Sequence, residues 1–522
     1  MDNLNTNTVR YIIPFYFEIK KHTHFNSLCR KLKNVGGSVK EPLWVEYKID
    51  DSECDLYEPI QKSMQSNLYE NQGIGQSYRI NSNCRQKYLK KLKVINEDST
   101  FVEVSFCDMG LHIFRVGIGF FWYELKIVTS DMDELLSINN MLKEISHHNT
   151  KKTLLEVKSI NQKLSVPIEA RIQDLSKCDN SSSYIKICGK RNEYIDSSEI
   201  DIDIQNKKDI YFYLRDNEIW YKYSEELEFE FLTFIEEHLS IFPDIKYFAG
   251  RYKIENGEQK YVPDKAILFS AVNTINFERK ELLEKLYWLG KGYVSSYCVS
   301  ESYLDDYKNA VFEPFQGVLW YASMEGCAQI IAKSENRERN IFFTTTYFKR
   351  LENYFYVYVL ILYQYYGLLK FDEGISNLPN DILGYDNINH RKSLHSYKQQ
   401  LSFFMMNSVF LCVSHITHQN QFFDYLKGVY ETDKLTNLMQ NKVEIMNELV
   451  EQWQEKLKAR NILAFSIIGG IFIVIQTLNN VLGMYNYFAF SNQISIGLYS
   501  AITMLFSVLM GVLIWLFVRN KF

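Results

Sequence analysis

The sequence ILAFSIIGGIFIVIQTLNNVLGMY at residues 462–485 is followed, after the loop 486–493, by ISIGLYSAITMLFSVLMGVLIWLFV at residues 494–518. Neither stretch contains Asp, Glu, Lys, Arg or His, and each exceeds the roughly 20 residues that a helix needs to cross about 30 Å of hydrocarbon. We therefore predict a transmembrane hairpin of two helices. A pair of core helices of a soluble protein is the less favoured alternative.

The cations around the hairpin predict its orientation. Lys456, Lys458 and Arg460 precede the first stretch, Arg519 and Lys521 follow the second, and the loop between the stretches carries no charge. Because Lys and Arg stay on the cytoplasmic side, both ends of the hairpin are predicted to be cytoplasmic. Most of the chain is then cytosolic, in keeping with an amino terminus that does not resemble a secretory signal.

Composition bears on the partners and the compartment. The chain has 58 Lys and Arg against 63 Asp and Glu, a formal net charge of -5, so we expect no direct nucleic-acid binding. Its 9 cysteines are scattered without a C-x-x-C motif. This spacing favours free thiols in a reducing compartment over a disulfide framework or a zinc site.

The cytosolic region is predicted to contain two domains. Residues 1–175 form a strand-rich domain, residues 176–203 a polar linker, and residues 204–430 a second domain in which strands and helices alternate. The predicted fold class is therefore an α+β, α/β-like cytosolic region, followed by a stalk helix at 431–461 and the transmembrane hairpin.

Apolar residues in the first domain alternate with polar ones at 102–106 and again at 121–127. This alternation predicts an antiparallel hairpin of strands with its turn at residues 108–110. A helix is predicted to begin at Ser130, because apolar residues then recur at intervals of three or four.

The second domain begins with a predicted strand at 210–214, a helix at 225–239 and a strand at 266–272. The aromatic segment 342–370 contains many tyrosines and nearby charges, which favour a buried amphipathic helix over a membrane span. The apolar segment 403–416 is too short to span a bilayer and is predicted to belong to the core.

A stalk helix is predicted from about Thr432, with no Gly or Pro before Gly469. Apolar residues recur along it at the spacing of heptad a and d positions, which is typical of helices that pack on partner helices. We expect a multi-subunit stalk, and packing on the chain's own domain is the alternative. The stripe consists of Met439, Val443, Met446, Val450, Trp453 and Leu457.

The first predicted span carries a stripe of small and polar residues on one helix face. Side-chain amides in a bilayer are costly unless they meet one another or water, so the stripe predicts an aqueous path or a contact between helices. Rings of Gln476 and Asn480 in a symmetric bundle would hold hydrated ions, whereas helix packing needs no pore. The stripe consists of Ser466, Gly469, Gly470, Ile473, Gln476, Thr477, Asn480 and Gly483.

The chain thus combines a large cytosolic α/β region, a stalk continuous with the first of two spans, Gly483-Met484 at the outer end of that span, and a short basic tail. This combination resembles the CorA family of divalent-cation channels. The resemblance is specific over residues 432–522 and architectural before them. The family signature at the pore mouth is Gly-Met-Asn, and here Gly483-Met484-Tyr485 is followed by Asn486.

The resemblance implies roles for these residues and for the assembly. Gly483 and Met484 shape the outer mouth, Ile473 and Gln476 occupy constriction positions, and the stalk transmits the state of the cytosolic region to the gate. It also implies a homo-oligomer, a pentamer in the family, in the inner (plasma) membrane. Mg²⁺ or another divalent cation would be the permeant ion, with no covalently bound cofactor.

Two departures from the family pattern change the expected function. Tyr485 replaces the asparagine that meets the hydrated cation in the family, and the loop 486–493 lacks acidic residues. The cytosolic part is also longer than in housekeeping members. The chain looks more like the CorA-like effectors of type III CRISPR systems, in which a nucleotide second messenger made during phage infection acts on the membrane protein.

Two short segments are candidates for binding the phosphate of such a ligand. Gly73 and Gly75 with Arg79, and Gly250 with Arg251, are predicted to lie in turns that present backbone amides and a guanidinium. Surface turns with an arginine and no ligand are the alternative.

Histidine pairs are the remaining candidates for metal ligands. His22 with His24, and His415 with His418 on a predicted helix, each lack a third ligand nearby in sequence, so any metal site stays unknown. The sequence shows no Ser/His/Asp or Cys/His catalytic arrangement, and we expect no enzyme activity.

The sequence therefore predicts a homo-oligomeric, CorA-like cation channel in a lipid bilayer. A ligand sensed by the cytosolic part, a nucleotide second messenger of antiphage defence, would move the stalk and open the path. A Mg²⁺ transporter is one alternative, and a membrane-anchored binding protein or enzyme is the other.

Overall fold

The computed structural model shows a mixed α+β protein with a sheet-rich amino-terminal region and an apolar helix near the carboxy terminus. The structure describes residues 7–19, 22–34, 42–47, 55–57, 60, 74–82, 91–95, 101–129, 131–146, 153–156, 170–171, 186–187, 200–206, 209–214, 219–223, 226–229, 231–242, 244–255, 258–274, 278–294, 310–332, 336–343, 351–382, 388–408, 410, 412–489 and 504.

Strands dominate the first two thirds of the chain and helices the last third. The strands are β1 (Asn7–Tyr16), β2 (Trp44–Glu46), β3 (Gly75–Ile80), β4 (Lys91–Ile95), β5 (Phe101–Phe114), β6 (Ile118–Ile127), β7 (Thr153–Glu156), β8 (Ala170–Arg171), β9 (Lys186–Ile187), β10 (Ile200–Asn206), β11 (Asp209–Leu214), β12 (Ile219–Tyr223), β13 (Glu226–Phe229), β14 (Lys246–Tyr247), β15 (Gly250–Glu255), β16 (Glu258–Pro263), β17 (Ile267–Thr274), β18 (Phe312–Phe315), β19 (Val318–Ala322) and β20 (Gly326–Ala332). The helices are α1 (His22–Leu32), α2 (Met132–Lys143), α3 (Phe231–Leu239), α4 (Arg279–Lys291), α5 (Arg337–Ile341), α6 (Leu351–Ile382), α7 (Ile388–Ser408), α8 (Thr417–Val429) and α9 (Thr432–Ala489).

The largest sheet has β1 near its centre. Its main path runs β18-β19-β20-β17-β1-β6-β5-β4-β7-β13-β9-β8, with β14 beside β1, β3 beside β5 and β2 beside β3. Strand β1 is antiparallel to both of its long neighbours, β6 and β17, while β17 and β20 are parallel. The sheet is therefore mixed, and its middle strands pair on both edges.

The main hydrophobic core covers one face of this sheet. Successive side chains of a strand point to opposite faces, so Tyr11 and Ile13 of β1 lie in the core while Arg10 does not. Helices α1 to α4 contribute side chains such as Leu28, Leu135, Ile235 and Leu286 to this core. Burial of each such side chain stabilises the fold by about 1.5–3 kcal/mol.

The aromatic helix α6 packs against side chains of the opposite face. Its residues from Tyr354 to Tyr363 are all buried. The ring of Phe355 lies 5.4 Å from that of Trp122 in β6, and the ring of Tyr363 lies 4.1 Å from that of Phe114 in β5. The prediction of a buried helix rather than a membrane span is therefore confirmed for the residues from Leu351 onward.

The predicted hairpin is present, but its turn lies elsewhere. Residues 108–110 belong to β5, which continues to Phe114 with an irregularity between Phe106 and Asp108. The chain reverses at Gly117, whose φ of 78° is in the left-handed region. A Cβ at Gly117 would lie 2.3 Å from the Phe17 carbonyl oxygen, so no other residue fits there.

Two predicted helix starts are corrected. Helix α2 has Asp131 rather than Ser130 as its N-cap, because the Asp131 side chain accepts a hydrogen bond from the Asp133 backbone N–H. The predicted helix 225–239 begins only at Phe231, since residues 226–229 form β13. Strand pairing with β7 overrides the local pattern there.

The described chain divides into two compact units. The first comprises Met1–Lys370 and Ser402–Asp433, and the second comprises Phe371–Leu401 and Lys434–Phe522. In the first unit, strands from both predicted cytosolic domains pair directly: β1 with β17, and β7 with β13. Described strands of the two predicted domains, 1–175 and 204–430, thus share one sheet, which local composition around 176–203 does not reveal.

Two smaller predictions are settled in part. Helix α7 ends at Ser408, inside the predicted core segment 403–416, and it buries Phe404 but leaves Met406 82% exposed. Four cysteines are free thiols, namely Cys29, Cys107, Cys327 and Cys412. The other five lie outside the described residues.

Candidate functional site

Helix α9 is a single helix of 58 residues. Its segment Lys458–Val481 is long and apolar enough to cross a membrane, and 0% of its most apolar window is buried within the chain. The buried helix α6 shows the contrast, because its apolar residues are covered by the sheet. An exposed apolar surface of this length needs lipid or other apolar partners.

The second predicted span, residues 494–518, lies outside the described residues except for Met504. Helix α9 itself continues beyond the predicted end of the first span at 485, through Gly483-Met484-Tyr485 and Asn486 to Ala489. The predicted pore mouth is thus helical, and the described part of the chain leaves the hairpin itself untested.

The small and polar stripe of α9 is exposed. Ile473 is 65% exposed, and Gln476, Asn480 and Gly483 are exposed as well. The Thr477 hydroxyl donates to the Ile473 carbonyl oxygen at 2.7 Å, so the helix itself satisfies this side chain. The amides of Gln476 and Asn480 therefore remain, with the Ser466 hydroxyl, as the exposed polar groups of the stripe.

The predicted stalk stripe is partly covered by the chain itself. Met439 is 1% exposed and Met446 is 5% exposed in the single chain, and Val443 is half-buried. The side chains of Val450, Trp453 and Leu457 lie outside the described ones. Packing within one chain therefore accounts for the beginning of this stripe without a partner helix.

A different line of the stalk stays exposed. Leu438 is 46% exposed and Ile445 is 57% exposed, and they are seven residues apart. The same heptad spacing continues through exposed residues into the polar stripe of the apolar segment. The line consists of Leu438, Ile445, Gln452, Ala459, Ser466, Ile473 and Asn480, and we call it the heptad line.

The structure does not place the predicted phosphate-binding residues in turns. Gly75 and Arg79 lie in strand β3, Gly250 and Arg251 lie in strand β15, and Gly73 lies outside the described residues. Gly75 serves close strand packing, because a Cβ there would lie 2.7 Å from the Ile113 carbonyl oxygen.

Arg251 is already engaged within the chain. Its Nε lies 3.1 Å from an Asp264 carboxylate oxygen, and its Nη2 donates to the Ser146 carbonyl oxygen at 3.1 Å. These contacts join β15 to the loop after α2 and to the residue that follows β16. The arginine therefore has a structural role in this arrangement.

Arg79 instead belongs to a charged cluster between the sheet and α6. Arg10 of β1 donates from Nε to Glu124 at 2.6 Å and from Nη2 to Glu352 at 2.6 Å. Arg79 donates to the other oxygen of the Glu352 carboxylate, and its Nη1 lies 3.4 Å from Asp108. We call Arg10, Arg79, Asp108, Glu124 and Glu352 the arginine cluster.

Aromatic rings enclose the two guanidinium groups. The Arg10 guanidinium lies 4.2 Å from the centre of the Phe355 ring, and that of Arg79 lies 3.8 Å from the centre of the Tyr47 ring. The Trp122 ring lies within 6 Å of both, at 4.8 Å and 5.5 Å. Such cation–π contacts stabilise partly buried guanidiniums by about 0.5–2 kcal/mol each.

Electrostatics keep the cluster ionised. Burial alone would raise the pKa of Glu352, but the Arg10 and Arg79 guanidiniums outweigh it and lower this pKa to about 2. The pKa of the neighbouring His112 is also lowered, to about 3, because burial together with the two arginines outweighs the raising effect of the Glu352 charge. Glu352 is thus anionic and His112 neutral at neutral pH.

His112 completes the polar layer beside the cluster. Its Nε2 accepts a hydrogen bond from the Trp122 indole N–H at 3.1 Å, so its proton lies on Nδ1 and is donated to the Ser77 hydroxyl at 2.9 Å. Neutral His112 therefore fixes the Trp122 ring that lies over both guanidiniums.

Of the arginine cluster, only Arg79 is singled out by the sequence patterns. The available signal was a charge inside an otherwise apolar strand: Arg10 in NTVRYIIPFY and Glu124 in IGFFWYELKI. A charged residue at a buried strand position is costly unless it is paired, so it indicates a partner elsewhere.

Metal ligation finds no support in the described residues. Among them, no group of three or more His, Cys, Asp or Glu could hold a metal ion. His415 precedes helix α8, whereas His418 lies within it, where its Nδ1 is 2.6 Å from the Tyr354 hydroxyl. The two residues therefore do not share the predicted helix face, and His24 is exposed on α1.

Comparison of this chain with models of known protein families and with curated proteins finds no match.

Proposed function

We propose that this chain is the subunit of a homo-oligomeric, CorA-like membrane cation channel, gated by a nucleotide sensed in its cytosolic part. The observation that carries the proposal is the 58-residue helix α9, which runs without interruption from Thr432 into an exposed apolar segment with a polar face. A simple membrane anchor needs neither the long extension nor the polar face.

The polar face supports a conducting path. In a symmetric bundle, Gln476 and Asn480 would form two rings of amide dipoles, one helical turn apart, where hydrated cations can be held. Mg²⁺ or another divalent cation is the proposed permeant ion, and Gly483 and Met484 are the proposed outer mouth. Tyr485 in place of the family's asparagine makes constitutive Mg²⁺ uptake the less favoured function.

The proposed assembly places the heptad line toward the symmetry axis. The line joins exposed apolar residues of the stalk to the polar face of the membrane segment at one heptad spacing. Partner copies would cover Leu438 and Ile445, which the chain leaves exposed, whereas Met439 and Met446 are covered already. A pentamer is the number that the family resemblance implies.

The remaining parts of the proposal follow from the same architecture. The second span, residues 494–518, would return the chain so that both termini are cytoplasmic in the inner membrane. The ligand would be a second messenger of type III CRISPR antiphage defence, and the channel would change the membrane potential of the infected cell. No covalent chemistry by the protein is proposed.

The second unit offers a contact through which the stalk could be held. Lys442 of α9 forms an ion pair with Asp372 in the last third of α6, and Tyr397 of α7 donates to the Phe371 carbonyl oxygen at 2.5 Å. Both groups are partly exposed, so a change at either helix can make or break the pair at low cost.

The assembly is tested by a matched pair of stalk variants. Ile445→Lys should shift the detergent-solubilised protein toward monomers, because it places like charges where copies meet, and thermal unfolding should stay near that of the parent. Met446→Lys should lower the unfolding temperature, since it buries a charge inside one chain. Light scattering and thermal unfolding measure the two effects.

Glu444→Lys is the control, because Glu444 is exposed on α9 outside the heptad line. It should leave the mass of the oligomer unchanged. An Ile445→Lys protein with the parent's mass would remove the heptad line from the proposed interface.

A further inference from the structure

Each arginine of the arginine cluster has a second carboxylate partner besides Glu352. Arg10 has Glu124 as a partner on the sheet, and Arg79 has Asp108. Glu352 comes from helix α6 and bridges both guanidiniums, with one carboxylate oxygen on each. Its position between two cations is the position that an anionic ligand would take.

Several hydrogen-bond donors near the Glu352 carboxylate make no hydrogen bond in the described part of the chain. Within the described part of the chain, Arg10 Nη1, Arg79 Nε and the Tyr356 hydroxyl are buried without a hydrogen-bond partner. Arg10 is 8% exposed and Tyr356 is 1% exposed. Buried donors are rarely left unpaired in folded proteins, so these three groups remain available to a further acceptor.

Tyr356 belongs to the same site. It lies one helical turn after Glu352 on α6, and its ring stacks on that of Tyr47 at 6.3 Å between centres. Burial, with the Glu352 charge nearby, raises the pKa of Tyr356, so its hydroxyl stays a donor. A carboxylate offers two oxygens to these donors, whereas a terminal phosphate offers three and more charge.

We propose that Arg10, Arg79 and Tyr356 form a receptor for a phosphate group. The Glu352 carboxylate occupies this receptor in this structure, and an anionic ligand binds there by displacing it. The inference rests on the proposed function in one respect, that the natural ligand is the gating nucleotide. Glu352 then acts as an internal competitor whose displacement frees the first turn of α6 from the sheet.

Displacement has a consequence along α6. Helix α6 carries Glu352 in its first turn and Asp372 twenty positions later in the chain. Asp372 forms the ion pair with Lys442 of the stalk helix. A ligand that binds only the displaced state shifts the population of α6 conformations in proportion to its differential affinity.

Binding of inorganic pyrophosphate to the full-length protein in detergent, measured by calorimetry, tests the receptor. The parent should bind it, and Glu352→Gln should bind it about tenfold more tightly, because the amide keeps the shape of the competitor and loses its charge. Arg79→Lys should bind about tenfold more weakly, since the bidentate geometry is lost. Glu313→Gln, which neutralises a carboxylate paired with Arg279, should match the parent.

The outcomes distinguish failure of the phosphate receptor from failure of the proposed function. No binding to the parent, or binding that Glu352→Gln fails to tighten, overturns the receptor. If Glu352→Gln does not fold, unchanged affinity in both Arg79→Lys and Arg10→Lys overturns it equally. The proposed function fails on a different result, namely that no nucleotide alters cation flux through the parent.

Discussion

Replacing Gln476 or Asn480 with leucine should reduce cation flux through liposomes that contain the full-length protein to the level of empty liposomes. Each substitution would turn one ring of amide dipoles into a ring of apolar side chains, and a narrow apolar constriction closes by dewetting. The oligomer should persist, because leucine packs well between membrane helices.

Leu478→Val is the matched control for this effect. Leu478 is exposed in the same segment of α9, but it lies on a face away from Gln476 and Asn480. Flux through this variant should equal that of the parent. If Gln476→Leu and Asn480→Leu also conduct like the parent, the polar stripe is a packing feature and the pore assignment is wrong.

Replacing Arg10 with methionine should destabilise the protein by about 3–5 kcal/mol, because two largely buried carboxylates lose their shared partner. Glu124 would lose its ion pair, and Glu352 would keep only Arg79. Adding Glu124→Gln to Arg10→Met should recover part of the loss, since it removes the carboxylate charge that has lost its partner. Equilibrium unfolding of the solubilised protein in urea measures these differences.

Arg279→Met provides the contrast for Arg10→Met. Arg279 is also paired with a carboxylate, at 2.7 Å from Glu313, but its side chain is 66% exposed. Its loss should cost no more than about 1 kcal/mol. Equal losses in the two variants would show that the arginine cluster does not hold α6 on the sheet.

Local sequence patterns predicted the helices and strands that depend on periodicity within their own segment. The helix α9 was foreseen because neither Gly nor Pro interrupts its periodicity before Gly469, and the strands β5 and β6 were foreseen from their alternation. The hairpin turn was misplaced because Asp108 and Gly110 resemble turn residues, whereas the reversal depends on the left-handed φ of Gly117.

Long-range pairing explains what the sequence did not reveal. Arg10 and Glu352 are 342 residues apart, and no periodicity connects them. The same holds for β1 and β17, whose pairing merges the two predicted domains into one sheet. Arg79 was singled out for the wrong reason, as a turn residue, and lies instead in a strand beside the carboxylates of the arginine cluster.

The stalk shows how far a heptad pattern can be read. The spacing from Met439 to Leu457 predicts an apolar helix face, but the pattern does not say whether that face meets its own chain or a partner. Met439 and Met446 turn out to be buried within the single chain. The exposed heptad line, which begins at Leu438, contains polar residues and was therefore not recognised.

Cation flux through liposomes that contain the full-length protein, measured with and without nucleotides and against a magnesium titration, tests the central claim most directly. A ligand gates a channel only through its differential affinity for the open and closed states, with about 1.4 kcal/mol for each tenfold change in their ratio. The proposal predicts that a phosphate-bearing nucleotide changes flux at constant magnesium. Flux that follows magnesium and ignores every nucleotide would contradict it and identify a transporter instead.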